Sequence, residues 1–283
     1  MSNVEEILIG ELPPALLKAI MSDLIMYSVG FVSLGKTPYG TDAILLGSGT
    51  LVKVGVTHAV LTAHHVLEVL PRIGRLSLIL SQSSQPYTFN TQGLEYLKID
   101  RGTKDSDGPD IGAVVLAPNI AASIQAKKVF YNLEIRRDRL LKTPPHLRDG
   151  VWFVNGFIDE ETTTRRGIEG YDLIKGFYNL SAAGGPECAV SIGDHDYFSF
   201  PVSYASRSIA PKSFGGMSGG GLWQVPLTRD KNGNLCHESA LLSGVVFYQE
   251  CDSEGALGVK CHGRISVYQV AYDALNKIRP SFH

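Results

Sequence analysis

Cysteine is scarce in this sequence, with four in 283 residues: Cys188, Cys236, Cys251 and Cys261. Secreted domains stapled by disulfides carry more, in pairs, so these are read as reduced thiols of a cytoplasmic protein. An excess of either charge is also missing. Lys and Arg total 26 against 28 Asp and Glu, a formal net charge of −2. Without a basic surplus the chain lacks the footprint of a general nucleic-acid or anionic-membrane binder. No run reaches the ~18 apolar residues of a membrane span. The start holds Glu5 and Glu6 but no Lys or Arg before Gly10, unlike the basic start of a secretory leader. Nothing repeats at a fixed period, and no tract is low in complexity.

What is present is a globular composition, 44% hydrophobic and 19% charged, with enough apolar content for a sizeable core. Glycine supplies 30 residues, roughly 11% against an average near 7%, which favours short strands and tight turns. Residues 12–25 read as a helix, with Pro13 and Pro14 at its start and Leu16, Leu17, Ile20, Met21 and Leu24 at helical spacing. Short β-rich runs follow at Tyr27–Val32, Ala43–Leu46, Thr50–Val56, Ala59–Leu61, Leu76–Leu80, Glu95–Ile99 and Ile111–Leu116. Residues 118–148 are Ala-rich and then basic, and read as a partly helical connector. Strand-like runs resume at Val151–Phe157, Gly176–Leu180, Phe198–Tyr204, Gly221–Gln224, Leu241–Tyr248 and Arg264–Gln269. A last helical face carries Tyr268, Ala271, Tyr272, Leu275 and Ile278 and stops at Pro280. Many short strands between turn signals make the fold class all-β, a sandwich or barrels.

Three segments carry chemistry. Gly47-Ser48-Gly49-Thr50-Leu51-Val52 is followed by Ala59-Val60-Leu61-Thr62-Ala63-His64-His65-Val66, where an apolar strand runs into Thr-Ala and two histidines. Asp110-Ile111-Gly112-Ala113-Val114-Val115-Leu116 puts an acid at the mouth of a buried strand. Phe214-Gly215-Gly216-Met217-Ser218-Gly219-Gly220-Gly221-Leu222-Trp223 sets a serine among glycines just before another strand. A serine hydroxyl is a weak nucleophile at neutral pH and needs a base within hydrogen-bond reach. An imidazole takes that proton and returns it to the leaving group. A buried carboxylate fixes the imidazole tautomer and stabilises the imidazolium. Gly216 and Gly219 let the backbone turn sharply through φ > 0. The N–H groups of Gly216 and Ser218 can then form an oxyanion hole, worth roughly 3–4 kcal/mol per donor. Asp105 and Asp107 are nearby rivals of Asp110, but only Asp110 directly precedes the apolar strand.

With these segments in this order, the chain resembles a trypsin-like (chymotrypsin-fold) serine peptidase, nearer its disulfide-poor bacterial branches than the digestive enzymes. Leu61-Thr62-Ala63-His64-His65-Val66 resembles the family's Leu-Thr-Ala-Ala-His segment, and Asp110-Ile111-Gly112-Ala113-Val114 its Asp-Ile-Ala strand. Gly216-Met217-Ser218-Gly219-Gly220 resembles its Gly-Asp/Asn-Ser-Gly-Gly loop. The match spans roughly residues 27 to 279. It implies two packed six-stranded β-barrels with the active site in the cleft between them. The segments would be a helical extension (1–26), a first barrel bearing His and Asp (27–120), a connector (121–149), and a second barrel bearing Ser (150–283). A C-terminal helix over about 269–279 would pack on the first barrel. By motif register His65 is the base and His64 replaces an alanine against packed structure; Asp110 and Ser218 complete the triad.

The resemblance also sketches a substrate pocket. Lys212 and Ser213 fall near its base, and Gly244-Val245-Val246-Phe247-Tyr248 is the strand that would pair with substrate backbone, placing Val246, Phe247 and Tyr248 against the substrate. A lysine at the base would favour an acidic side chain before the scissile bond, whereas a solvent-facing Lys212 would not. His262 could also reach this pocket, but it is expected at the surface. Met217 replaces the acid that pairs with a cleaved N-terminus in digestive members, so activation by that route is not expected. Gly221 stands where proline is usual, which would loosen the start of the strand. The pairs Cys236-His237 and Cys261-His262 lack zinc-module spacing, so neither a metal nor another cofactor is expected. Arg136, Arg137 and Arg139 read as a solvated face, and Trp152 and Trp223 as core. Two functions of different class fit: an endopeptidase acting on a protein or peptide, and a protease-fold binding module whose triad is non-productive or gated by a regulatory protein partner.

Overall fold

The computed structural model describes residues 9–37, 40–72, 74–81, 85–104, 106–166, 173–203, 211–251 and 257–278. Asp105, Tyr204, Pro280 and the first eight residues of the N-terminal extension lie outside these ranges. The chain is mostly β, with two antiparallel sheets.

The N-terminal helix α1 is Pro14–Ile25, opened by Pro13 and Pro14. Proline is accommodated there because first-turn N–H groups have no intrahelical partner. Its Ile20 and Leu24 are buried. The first sheet is built from β1 (Ser28–Thr37), β2 (Gly40–Val54), β3 (Thr57–Thr62), β4 (Arg75–Ile79), β5 (Tyr87–Asn90), β6 (Glu95–Arg101) and β7 (Asp110–Val115). A short helix, α2 (His64–Val69), leaves the end of β3. The strand order is β5-β4-β1-β2-β3-β7-β6.

The connector holds α3 (Pro118–Gln125), the two-residue β8 (Tyr131–Asn132) and α4 (Leu133–Lys142). β8 pairs in parallel with β2, and Asn132 caps α4 by accepting from the backbone N–H groups of Glu134 and Ile135. The basic face expected on this helix is only partly solvated. Arg137 donates to the Tyr268 carbonyl at 2.9 Å, pairs with Asp273 and lies over the Tyr272 ring, so it clamps the connector to the C-terminal helix.

The second sheet uses β9 (Val151–Arg166), β10 (Leu173–Gly184), β11 (Cys188–Ile192), β12 (His195–Pro201), β13 (Gly221–Val225), β16 (Leu241–Cys251) and β17 (Leu257–His262). Between them β14 (Leu227–Arg229) and β15 (Leu235–His237) form a separate ribbon. The order is β10-β9-β13-β16-β17-β12-β11. A bridge between Gly184 and Val202 ties β10 back toward the end of β12, so this sheet curls on itself. Each sheet carries at least seven strands rather than six.

The strand expected over 264–269 is helical. A π-helical turn (Ser266–Ala271) leads into α5 (Tyr272–Asn276). Tertiary bonds override the β-branched local pattern there. Ser266 N–H donates to Asp196, and the Arg264 guanidinium is drawn inward to Gln224, Ser243 and the Pro145 carbonyl.

One apolar cluster lies on the seam between the sheets. It joins Leu24 of α1, Val52 and Leu61 of the first sheet, Trp223 and Val245 of the second, and Tyr268 and Leu275 of the C-terminal segment. Tyr27 stacks on Trp223 with centroids 5.0 Å apart, and Tyr131 meets it edge-on. Trp152 and Trp223 are both core. The Trp223 indole also explains Gly221: a Cβ there would come within 2.4 Å of the indole nitrogen, so the glycine makes room for the ring rather than loosening the strand. No helix among the described residues is long and apolar enough to cross a membrane. Cys236, Cys251 and Cys261 are unbridged.

Candidate active site

β3 ends at Thr62, Ala63 stays extended, and α2 starts at His64. Consecutive residues of a helical turn point about 100° apart, so the two histidines part company. His64 is buried, its Nδ1 within hydrogen-bond distance of the Asp100 carbonyl and its Nε2 3.8 Å from Glu68. His65 turns to Asp110: its Nδ1 lies 2.6 Å from Oδ2, and its backbone N–H donates to Oδ1 at 2.9 Å. The His65 side chain keeps 36% of its surface exposed.

Asp110 is the first residue of β7 and fully buried. The β6–β7 register sets Arg101 directly opposite it, and Arg101 Nη1 lies 2.9 Å from Oδ2. Burial alone would raise the Asp110 pKa. The hydrogen bonds and charge of His65, with the charge of Arg101, outweigh burial and hold the carboxyl below its ordinary value. The backbone N–H of Asp110 donates to His262 Nε2 at 2.9 Å. The rival Asp107 is exposed and faces Lys104 and Ser106.

The serine loop is a run of tight turns. Met217 N–H donates to the Phe214 carbonyl and Gly220 N–H to that of Met217. Gly216 and Gly219 have φ of 90° and 93°, a region costly for residues with a Cβ. Gly219 N–H and the Gly220 carbonyl both bond to Val246, fixing the loop to β16. The Ser218 hydroxyl donates to the Phe247 carbonyl at 3.4 Å.

The loop is held from the opposite sheet by β2. Ser48 N–H donates to the Ser218 carbonyl at 2.8 Å, and Thr50 Oγ1 to that of Gly219. The Ser48 hydroxyl accepts from Phe157 N–H and donates to the Gly216 carbonyl, each at 2.7 Å. Thr62, three residues before His65, donates to the Ser48 carbonyl. The Gly215 carbonyl accepts from Asp159 N–H. In a trans peptide the N–H points opposite the C=O, so Gly216 N–H is turned away from Asp159. Among the described residues neither Gly216 N–H nor Ser218 N–H is engaged in a hydrogen bond.

Around the expected pocket, Lys212 is exposed. Its backbone N–H and that of Ser213 both donate to Glu160. Val246 and Phe247 are buried, and Tyr248 is exposed. Gln249, beside them on β16, accepts from Phe214 N–H and bonds the Ser213 hydroxyl. Among the described residues no group of three His, Cys, Asp or Glu side chains converges for a metal.

Sequence reasoning missed three residues. Arg101 shows only through the ladder register. Ser48 lay inside a noted Gly-Ser-Gly strand, but its loop partners are over a hundred positions away. His262, expected at the surface, is fully buried, because β17 sits inside the second sheet between β16 and β12.

No known family model matches the chain, and no curated protein does. Among solved structures it is similar to tobacco vein mottling virus protease, at TM-score 0.40 and 10% identity, covering 89% of this chain and 84% of that one. It is also similar to a mutant of tobacco etch virus protease, at TM-score 0.36 and 9% identity, covering 86% and 78%. Overlap this loose carries no functional argument.

Proposed function

We propose that this chain is a serine endopeptidase of the trypsin-like type, cleaving protein or peptide substrates through Ser218, His65 and Asp110. The observation that carries the reading is the 2.6 Å bond between His65 and buried Asp110, set beside a serine loop with two unengaged N–H groups. In the forward step Ser218 Oγ attacks the scissile carbonyl carbon while His65 Nε2 takes the hydroxyl proton. The oxyanion is held by the N–H groups of Gly216 and Ser218. As the intermediate collapses, the C–N bond breaks and His65 hands its proton to the leaving amine. Water, deprotonated by His65, then attacks the acyl-enzyme and releases the acid and the free serine. Asp110 stays ionised throughout and stabilises the imidazolium.

The Ser218 hydroxyl donates to the Phe247 carbonyl, a bond that has to be given up before His65 can take its proton. That observation favours one second reading, a site closed until a partner or substrate displaces the bond. Intact mass after a fluorophosphonate tests both. A single adduct on wild type and none on Ser218→Ala supports the peptidase, and a peptide library then reads the pocket. A folded wild type that takes no adduct overturns the active form and leaves the gated one.

A further inference from the structure

Two buried histidines of the second sheet reach into the first. His262, at the end of β17, accepts the Asp110 backbone N–H on Nε2 at 2.9 Å. His195, at the start of β12, lies with Nε2 2.9 Å from the Asp100 carboxylate on β6. Both meet on one atom: the Ser266 hydroxyl is 3.4 Å from His262 Nδ1 and 3.2 Å from His195 Nδ1. Ser266 is fixed in turn by Asp196, which accepts its N–H. The His262 ring is packed against Phe247 at 4.7 Å, Tyr197 at 5.2 Å and His195 at 5.5 Å.

The partners settle the tautomer. A backbone N–H can only donate, so His262 Nε2 must be unprotonated, and its proton sits on Nδ1 toward Ser266. Burial first, and then the charge of His195, push the pKa of His262 down to about 3; the ring stays neutral wherever the enzyme would be assayed. The Asp110 N–H opens β7, and burial keeps water from it. Phe247, against which His262 packs, also supplies the carbonyl that holds the Ser218 hydroxyl.

We propose that His262 is a positioning residue of the triad: from the second sheet it anchors the main chain of Asp110, so that the carboxylate supplied by the first sheet meets His65 in register with Ser218. The proposal rests on the peptidase reading for its kinetic consequence, but not for its structural one. Small displacements of a catalytic group cost on the order of 10²-fold in rate. His262→Phe keeps the ring packing and removes the acceptor, while His262→Gln restores an acceptor near the position of Nε2.

The test has three readouts. ¹⁵N NMR of the histidines in wild type is expected to show one ring that stays neutral to acid pH with Nδ1 protonated, and to lose that signal in His262→Gln. Low-field ¹H NMR is expected to show the His65–Asp110 proton in wild type and His262→Gln, and a broadened or shifted one in His262→Phe. With a cleavable peptide, His262→Phe is expected to lose about 10- to 100-fold in kcat with KM within about twofold, and His262→Gln to recover most of it. An Nε2-protonated ring, or a His262→Phe variant with the wild-type low-field proton, overturns the proposal. If wild type neither labels with a fluorophosphonate nor cleaves any peptide, the peptidase reading fails, and the two NMR readouts still decide on His262. Should His262→Phe not fold, the wild-type tautomer and His262→Gln decide.

Discussion

In the first half of the molecule, His65 and Asp110 are fastened to each other and to one sheet: the ladder from β6 to β7 and the first turn of α2 supply the contacts that aim them. In the second half, Ser218 sits on a loop held both by its own sheet, through Val246, Gln249 and Asp159, and from across the seam by Ser48 and Thr50 of β2. His65 and Asp110 are therefore aimed at each other mainly by one sheet, with His262 of the second reaching the Asp110 backbone, whereas the Ser218 loop is bonded from both sheets. On the proposed peptidase reading, disturbing the His65–Asp110 dyad removes the base, whereas disturbing Ser48 alters the Ser218 loop without removing a contact of that pair.

Three substitutions probe these two arrangements, and a fourth the connector that joins them. Asp110→Asn strikes the dyad and has the largest expected effect, a fall in kcat of roughly 10⁴ with the wrong imidazole tautomer favoured. Peptide turnover kinetics measure it, and activity near wild type would dissolve the dyad as described. Ser48→Ala strikes the seam. It leaves the buried Phe157 N–H unpaired, at a cost of about 1–3 kcal/mol in stability, and frees the Gly216 carbonyl. A loss of about 10- to 10²-fold in kcat is expected, below the cost of deleting an oxyanion donor outright, with the His65–Asp110 low-field proton unchanged. If that proton moved as well, the Ser48 contacts would be coupled to the His65–Asp110 pair.

Arg101→Gln has a milder effect and tests the electrostatics. The folded-state pKa of Asp110 is depressed, so its ionised form contributes stability that is present above the ordinary carboxylate pKa and lost as pH falls through the folded value. Removing the Arg101 charge raises the folded value, and acid unfolding should begin at higher pH than in wild type. Superimposable acid-denaturation curves would show that Arg101 contributes nothing there.

Lys128 gives the smallest effect and concerns the connector alone. It is buried, donates to the Ile25 carbonyl at the end of α1, and burial lowers its pKa to about 8. The unfolded chain binds its proton more tightly, so stability should rise as pH climbs from about 8 toward the ordinary lysine value near 10.4. In Lys128→Met that rise should vanish from the urea midpoints, with peptidase kinetics untouched.

The site could be read in the sequence where its chemistry is local. Thr62-Ala63 running into histidine, an acid at the head of Ile111–Val115, and a serine between Gly216 and Gly219 each carry a short-range physical reason, and the spacing of Leu16, Leu17, Ile20 and Leu24 gave away α1. Legibility failed where a residue's role depends on register across a ladder or on the seam. Nothing in the sequence around Arg101 says that it faces Asp110. Nothing around His262 distinguishes a surface histidine from one that caps a buried N–H. Ile265 and Val267 favour a strand, and only Asp196, Gln224 and Ser243, drawn in from other elements, pull that stretch into a helical turn.

The sequence by itself determined many of the elements, such as α1 and β7, and the residue types at their ends, because hydrophobic periodicity and turn chemistry act over a few residues. It also determined that one acid, two histidines and one serine would sit at such ends. Only the tertiary structure decided which histidine meets the acid, through the first turn of α2. It likewise decided that Ser48 bonds to the loop around Ser218, and that a histidine of one sheet accepts the Asp110 N–H of the other. The Ser48 and His262 partners are selected by the docking of sheets that bring together residues more than a hundred positions apart, and hydrogen bonds with a reach of about 3 Å exist only after that docking is complete.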